Sequence, residues 1–484
     1  MSPPSPIDAR TDEALLATPL DSASPADPAS AAPPPEIDPA SLDVDALKVL
    51  RHLRRNGHQA YLVGGCVRDL LLGRRPKDFD IATSAHPEQV RATFRNCRLI
   101  GRRFRLAHIY FKGQKIIEVA TFRKNPVEEV LAEDPTAVDT DLLISEDNVF
   151  GTAEEDARRR DFTINGLFYD VGLGEVIDYV SGRGDLETRT IRTIGTPEIR
   201  LREDPVRLLR AVRFAAKLDL NIDPETWTAM QHSVGELARC APARVFEETL
   251  RLLRSGAARR ALQLLRDVGA LPILLPSVAT FLEQSPPIEA ERLFGVLGAM
   301  DERIAAGLPT EDSLLLAALL LRIVRVAPDD SKSSPLSSIE PVIAELTRTA
   351  RLPRRIAESA KLLLLAQSAL LGERRRRGSP TRFVRSPRFA DALILMAANV
   401  QASGEGSEAL ERWRARQAEL KGSPTSAPGP TGASAGMAPA EGSRRRSGKS
   451  ASRGAPSNGA AGDSGAAPTA EPLPSFTFEG FGLL

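Results

Sequence analysis

The 484-residue chain carries 64 Lys and Arg residues against 63 Asp and Glu residues, so its formal net charge is +1. This balance excludes a uniformly basic coat for nucleic acid but allows local basic patches. The three cysteines form no CxxC pair, which disfavours a disulfide framework or a cysteine zinc site and favours a reducing, cytoplasmic compartment. The N-terminal residues lack the basic-then-apolar order of a signal peptide, and the apolar run Leu314–Leu321 is too short to cross a bilayer.

Both ends of the chain have a composition typical of disorder. Residues 1–40 contain ten prolines, seven acidic residues and one basic residue, which predicts a disordered acidic arm. Residues 401–484 are of low complexity, with basic residues clustered at 444–453. This predicts a disordered tail that is either a weak RNA tether or a solvated linker. The folded protein is therefore expected over residues 41–400.

The predicted elements of residues 41–172 indicate a mixed α+β domain. A helix over 43–55 ends at Asn56-Gly57, a strand at 61–63 runs into Gly64 and Gly65, and a second helix follows at 67–72. The pattern then predicts a strand at 78–83, a helix at 87–94 and a hairpin with strands at 106–111 and 116–122. From residue 153 to about 400 the pattern is mostly helical, with a small strand pair near 175–194.

The glycine pair at the end of the first strand is the first candidate functional feature. Glycines there allow close approach of the backbone, and the free N–H groups at the start of the following helix suit phosphate oxygens. A Gly-Gly turn alone is a weak signal, because it is more often only a turn. No Walker A pattern is present, so a P-loop enzyme is not indicated.

Three acidic residues on two predicted strands are the candidate metal ligands. Side chains alternate along a strand, so Asp78 and Asp80 are expected on one face while Phe79 points to the core. Carboxylates of this kind suit Mg²⁺. Glu118 lies in an apolar strand and completes a three-carboxylate cluster if its strand neighbours that of Asp80; otherwise it is an exposed edge residue. Together these residues suit two-metal phosphoryl chemistry with two Mg²⁺ ions.

With two further motifs, the sequence resembles a known family. Residues 158–165 and 203–214 are similar, in the right order, to the RRDxTxN and EDPxRxLRAxRF segments of the class II tRNA nucleotidyltransferase/poly(A) polymerase family of bacteria. Gly166 stands where that family usually has alanine. The resemblance covers about 60–270 and implies a polymerase-β-like nucleotidyltransferase head (41–172). An all-α neck (173–270) and a helical, RNA-binding body (271–400) would follow it.

The resemblance also implies roles for residues outside the carboxylate cluster. Gly64, Gly65 and Arg68 would hold the triphosphate, and Arg160 and Asp161 would contact the nucleotide, with Asp161 among the essential acids. Asp161 and Asn165 are four apart and are expected on one helix face. Residues 204, 207, 210 and 213 recur every three positions and are expected to form one stripe on a helix. Asp204 and Arg207 would read the base, and Arg210 and Arg213 would neutralise phosphate.

Residues 96–108 resemble the poly(A) polymerase branch of this family more closely than its CCA-adding branch, which tends to be less basic there. Arg102, Arg103 and Arg105 surround one aromatic residue and predict a patch that follows an RNA strand. The expected enzyme is a cytoplasmic, monomeric polynucleotide adenylyltransferase that adds AMP from ATP to RNA 3′ ends, without a membrane partner. A CCA-adding tRNA nucleotidyltransferase is the alternative.

Overall fold

The computed structural model describes residues 36–101, 105–125, 149–326, 335–372 and 380–422. Most of the two predicted arms lies outside these ranges. Where the arms are described, both predicted boundaries are wrong. Ile37 is buried in the main core, and the Glu36 carboxylate pairs with Arg183 at 2.6 Å, so residues 36 and 37 are part of the folded head. At the other end, helices continue to Gly422 instead of stopping at residue 400.

The strands of the head show why this region folds as α+β. Their side chains alternate between the two faces of the sheet, and both helices and short turns connect them. Their bounds are β1 (Ala60–Val63), β2 (Asp80–Thr83), β3 (Cys97–Ile100), β4 (Leu106–Tyr110), β5 (Ile116–Thr121), β6 (Leu167–Asp170) and β7 (Glu175–Asp178). In the described residues they form one sheet in the order β3-β4-β5-β2-β1-β6-β7. Because β7 belongs to this sheet, the head extends beyond the predicted boundary at residue 172.

The pairing of β2 with β5 positions the candidate site. These two strands are parallel, whereas the other neighbours in the sheet pair antiparallel. Asp80 stands opposite Glu118 in this register, and Glu118 stands opposite His108 on β4. Cross-strand partners share one face of a sheet. The three side chains therefore form a row on the same face, as expected if Glu118 neighbours the Asp80 strand.

The helices of the head pack against both faces of the sheet. Helix α1 begins where the Asp43 carboxylate accepts hydrogen bonds from two backbone N–H groups and ends at Asn56-Gly57, as predicted. The helices are α1 (Val44–Arg55), α2 (Gly65–Leu71), α3 (Pro87–Thr93), α4 (Ala153–Arg158) and α5 (Gly182–Glu187). Side chains of α1 and α3 join Ile81, Ile109 and Ile117 in the main core, while Ala82 belongs to a smaller cluster on the opposite face.

The rest of the described chain is helical apart from one small strand pair. Strands β8 (Thr190–Ile191) and β9 (Asn221–Ile222) are parallel, so β8 does not pair with β7 as the sequence suggested. The neck helices are α6 (Pro197–Glu203), α7 (Val206–Leu218), α8 (Pro224–Ser233), α9 (Pro242–Leu253) and α10 (Ala258–Asp267). The body helices are α11 (Leu271–Leu274), α12 (Pro276–Gln284), α13 (Pro287–Ala305), α14 (Asp312–Val326), α15 (Pro335–Ala350), α16 (Arg354–Leu371), α17 (Pro380–Val384), α18 (Phe389–Ser403) and α19 (Ser407–Gly422).

One apolar core runs through the head, neck and body. It extends without a break from Ile37 to Leu410, so the three parts are packed together and not strung on linkers. No helix in the described ranges is long and apolar enough to span a membrane. The predicted fold class, a mixed-sheet head followed by a helical neck and body, is confirmed.

Candidate active site

A cavity of about 240 Å³ lies between the head sheet and the neck helices. Most of the predicted site residues line it, although they come from distant parts of the chain. The lining residues among them are Gly64, Gly65, Arg68, Asp78, Asp80, Arg160, Asp161, Asn165, Asp204, Arg207, Arg210 and Arg213. Glu118 and Arg105 are described but do not line it, and Arg102 and Arg103 lie outside the described residues. Arg105 instead pairs with Glu88 at 2.8 Å on the surface.

The turn between β1 and α2 forms one wall of the cavity. Gly64 has φ of +70°, which favours glycine, and a Cβ there would lie 2.9 Å from Nη1 of Arg160. The buried Arg68 guanidinium donates to Oδ1 of Asn165 at 2.7 Å and pairs with Asp69 at 2.6 Å. The glycine turn therefore brings backbone and two guanidinium groups close together, as phosphate binding requires.

Asp78 and Asp80 enter the cavity from the beginning of β2. The strand starts at Asp80, so Asp78 lies in the preceding loop and not within a strand as predicted. Asp78 is exposed, whereas Asp80 is 8% exposed. Burial, followed by the charges of Glu118 and Asp78, raises the pKa of Asp80 well above its ordinary value, with only Arg160 acting in the opposite direction. A cation between the two aspartates would relieve this repulsion.

Glu118 lies beside Asp80 on the neighbouring strand. Its Oε1 atom lies 3.3 Å from Nε2 of His108, and its buried Oε2 atom has no hydrogen-bond partner in the described residues. Described His, Cys, Asp and Glu side chains do not form a preassembled group of three or more metal ligands. Two aspartates and a substrate polyphosphate fit Mg²⁺ nonetheless, because this ion is usually held by one or two carboxylates together with phosphates and water.

The segment after α4 contacts the neck through Asp161, which lines the cavity. Asp161 lies in a turn and Asn165 ends a short 3₁₀ helix, so the predicted shared α-helix face is wrong. The two side chains still meet, because Asn165 Nδ2 donates to Asp161 Oδ1 at 2.9 Å. The other carboxylate oxygen pairs with Arg210 at 2.6 Å. Although burial raises the pKa of Asp161, Arg210 and Asn165 together hold it below its ordinary value.

Helix α7 supplies the three predicted arginines, but Asp204 precedes this helix and caps α6. The Arg207 backbone N–H donates to the Asp204 carbonyl oxygen at 3.0 Å, but the two side chains bind other partners. Arg207 donates to Glu203 at 2.8 Å, and Asp204 Oδ2 accepts from Arg244 at 2.9 Å. The buried Oδ1 atom of Asp204 has no partner among the described residues. A free acceptor beside a guanidinium is a suitable arrangement for recognising a nucleobase edge.

The sequence reasoning missed the cavity's further cations and the acids that hold its arginines. Asp69, Lys77, Arg159, Lys217 and Arg251 also line the cavity, which gives nine cationic and five acidic side chains in its described lining. Asp156 holds Arg160 at 2.9 Å, and Glu248 holds Arg213 at 3.1 Å. Lys217 was detectable, since it extends the α7 stripe by one turn. Glu248 had no local signal, because its partner lies on another helix.

A carboxylate pair, a glycine turn and an excess of guanidinium groups in one cavity are the parts of a nucleotidyltransferase. Residues 60–192 match the family described as the poly A polymerase head domain, and 219–282 match the probable RNA and SrmB-binding site of polymerase A. Poly(A) polymerase I of Salmonella typhimurium is 39% identical over 80% of this chain and 84% of its own length. The chain therefore belongs to the poly(A) polymerase family.

CCA-adding enzymes are similar over a shorter stretch of sequence. The CCA-adding enzyme of Geobacillus stearothermophilus is 38% identical over 54% of this chain and 61% of its own length. Among solved structures, the Bacillus stearothermophilus CCA-adding enzyme in complex with CTP matches with a TM-score of 0.57 and 29% identity. That match covers 78% of this chain and 82% of the other. Both activities therefore share this fold.

Proposed function

We propose that this protein is a template-independent poly(A) polymerase that adds AMP from ATP to RNA 3′ ends and releases pyrophosphate. The observation that carries the proposal is the extent of similarity. Relatives named poly(A) polymerase I match 80% of the chain, including the body, whereas a CCA-adding enzyme matches 54%. The cavity supports the same chemistry, because its cationic excess suits a triphosphate.

In this proposal the triphosphate lies against the β1–α2 turn. The backbone N–H of Gly65 and the guanidinium of Arg68 contact phosphate oxygens. The Gly64 N–H donates to the Leu167 carbonyl oxygen at 3.0 Å, so Gly64 contributes by letting the backbone approach closely. Arg210 and Arg213 offset phosphate charge, and Arg160 stays beside Asp80 because Asp156 anchors it. Each of these arginines is already fixed by an acid or an amide, so little reorientation is needed when ATP binds.

The carboxylates are the residues that would hold the metal. Asp78 and Asp80 would bind two Mg²⁺ ions, and these would supply Lewis-acid chemistry that favours ionisation of the RNA 3′ hydroxyl and offsets the charge of pyrophosphate. Glu118 assists by its negative charge beside Asp80. The hydroxyl oxygen attacks the α-phosphorus of ATP and its proton passes to solvent, while the bond between the α-phosphorus and the bridging oxygen breaks and pyrophosphate leaves. Asp161 positions Asn165 and Arg210 on the opposite side of the nucleotide.

Base choice is assigned to Asp204 and Arg207 at the far end of the cavity. The unpaired Oδ1 atom of Asp204 accepts from the exocyclic amino group of adenine, and Arg207 donates to a ring nitrogen. We also propose a monomeric enzyme that acts on RNA in the cytoplasm. The RNA-contacting role of Arg102, Arg103 and Arg105 stays a prediction.

A primer-extension assay with Mg²⁺ tests the proposed function. Unstructured RNA and a tRNA lacking its CCA end are each offered ATP alone and CTP alone, with Asp80→Ala as the blank. Long ladders on the unstructured RNA with ATP are expected. Addition of C and A to the tRNA alone, with the plain RNA ignored, would establish the CCA-adding alternative. An Asp80→Ala variant that extends RNA at a near-normal rate would contradict the metal assignment.

A further inference from the structure

A second basic concavity lies on the head, outside the active-site cavity. It has a volume of about 370 Å³, within the range of small-ligand sites. Helix α1 contributes one wall with Lys48, Arg51, His52 and Arg55, which we call the basic stripe. Phe94, Asn96, Ile109 and Phe111 form the other wall. None of the side chains that line it is acidic.

The register of the sheet places this groove away from the chemistry. His108 aligns with Glu118, and Glu118 aligns with Asp80, so these side chains share one face. Ile109 follows His108 directly on β4 and therefore points to the opposite face. Because Ile109 lines the groove, the groove opens on the face of the sheet opposite the carboxylates. It is a separate surface and not an extension of the nucleotide site.

The basic stripe carries charge that its surroundings do not neutralise. Its lysine and two arginines, Lys48, Arg51 and Arg55, lie three or four positions apart on α1, where like charges repel each other. Lys48 pairs with Asp45 at 2.8 Å, but Arg51 and Arg55 are exposed and make no ion pair within the described residues. Arg95, next to Phe94, is likewise exposed and unpaired in that part of the chain. A partner that supplies several negative charges would remove this repulsion.

Aromatic rings accompany these cations. The ring of Phe94 is half-buried and meets the exposed ring of His52 edge to face, with centroids 5.0 Å apart. Single-stranded nucleic acid combines a row of phosphates with flat bases, so it matches cations interleaved with rings better than an acidic peptide does. The groove therefore fits RNA in charge and in surface chemistry.

The edge strand of the described sheet links the two faces. Strand β3 is terminal in the sheet, and its Arg98 aligns with His108, on the carboxylate face. The Arg98 guanidinium lies 5.6 Å from the ring centroid of Tyr110, which is on the same face. Cations are thus present on both faces of the sheet at this edge. An RNA strand that leaves the active site and passes around the edge would contact basic side chains on both faces.

We infer that the groove between α1 and Phe94 binds the upstream part of the single-stranded RNA whose 3′ end is in the active site. The inference rests on the proposed function, because it assigns a path to the same substrate. It extends that function by giving the enzyme a grip on RNA several nucleotides away from the reacting end. RNA length then determines affinity, since only a long strand reaches both the active site and the groove.

The test measures binding to the full-length protein in the absence of ATP. Fluorescein-labelled oligo(A) of about 8 and about 30 nucleotides is titrated, with lengths chosen around known single-strand site sizes. Lys48→Ala/Arg51→Ala/Arg55→Ala is compared with Arg412→Ala, which changes an exposed arginine of α19. The triple variant is expected to bind the long RNA roughly tenfold more weakly, with a salt slope reduced by about 0.7 for each lost phosphate contact. Binding of the short RNA is expected to be unchanged. In a separate assay with ATP and Mg²⁺, AMP addition to the short RNA is also expected to be unchanged.

Two outcomes would overturn the inference. Unchanged binding of the long RNA would show that the stripe does not contact it and would favour an acidic protein as the partner. An equal loss of affinity for the short and the long RNA would mean that the substitutions act on binding of the RNA 3′ end or on folding of the protein. Arg51→Glu/Arg55→Glu provides a second variant, expected to enlarge the length-dependent loss. The binding titration contains no nucleotide, so its result does not depend on catalysis. Failure of AMP addition in a separate assay with ATP would reject the proposed function without altering the binding result.

Discussion

Asp80 is the residue at which burial and function conflict most directly. Its carboxylate is buried and is repelled by Glu118 and Asp78, and its pKa is therefore raised. Between the ordinary pKa and this raised value, the folded protein holds a proton that the unfolded chain has lost. Stability therefore falls as the pH rises through this window. Ionisation of Asp80 therefore weakens the metal-free fold but prepares the site for a cation.

We predict that Asp80→Asn melts at a higher temperature than the wild-type protein in EDTA at neutral pH, because it removes a repelled buried charge. Mg²⁺ should raise the melting temperature of the wild-type protein and leave that of the variant almost unchanged. Thermal unfolding with and without Mg²⁺, at pH 5 and pH 8, measures both effects. A variant that is stabilised by Mg²⁺ as much as the wild-type protein would mean that Asp80 is not a metal ligand.

Asp204 gives a second prediction at this scale. Its unpaired Oδ1 atom suits the amino group that adenine presents, whereas uracil presents a carbonyl oxygen at the equivalent place. Asp204→Asn can donate from its amide and should therefore reduce the preference for ATP over UTP by roughly tenfold. Steady-state kcat/KM for both nucleotides measures this change. Asp219→Asn, at an acid that is 70% exposed at the end of α7, should retain the wild-type preference.

At the scale of elements, α7 depends on acids from other segments. Arg210 pairs with Asp161, and Arg213 pairs with Glu248 on α9. Burial, together with the nearby Arg210 and Arg251, lowers the pKa of Arg213 to about 10 despite Glu248. Each arginine is therefore held charged at neutral pH by a partner that the α7 sequence does not contain.

Removing that partner should destabilise the neck. Glu248→Gln leaves Arg213 and Arg251 without their shared carboxylate, so we expect the free energy of unfolding to fall by about 3 kcal/mol at pH 7. The difference in the free energy of unfolding between the wild-type protein and the variant should become smaller towards pH 10 and above. At such pH values Arg213 can lose its proton in the folded state. Denaturant titrations at both pH values measure it. The neighbouring Glu247→Gln, at a side chain that is 42% exposed, should change the free energy by under about 0.5 kcal/mol.

These pairings also define what the sequence could predict. Periodicity located β1, α2 and the stripe of three arginines, because those signals depend on near neighbours in the chain. Asp161 and Asn165 were predicted to share a helix, yet they meet through a turn and a 3₁₀ helix that Arg210 anchors from a distance. Asp204 is likewise held by a distant residue. One of its oxygens accepts from Arg244, forty positions along the chain, and the other oxygen is left free. Such tertiary counter-ions leave no pattern in the local sequence.

At the scale of the molecule, head, neck and body share one apolar core. Within the body, Arg322 is 2% exposed and joins α14 to α13 and α18 through Glu289 and Asn399, and it also contacts Glu405. Because the core is continuous, damage at this buried network should spread to the nucleotide site and not stay in the body. Cooperative unfolding of the whole described region is therefore expected.

Arg322→Met tests this, since it leaves buried acids short of a partner and should cost about 3–5 kcal/mol. The chain's two tryptophans report on separate parts: Trp227 lies on neck helix α8, and Trp413 packs against Phe383 and Phe389 in the body. Trp227→Phe and Trp413→Phe versions let each be followed alone during thermal unfolding. Both probes should shift together to a lower temperature in Arg322→Met. If Trp413 responds several degrees before Trp227, the body unfolds separately, and the shared core does not couple it to the active site.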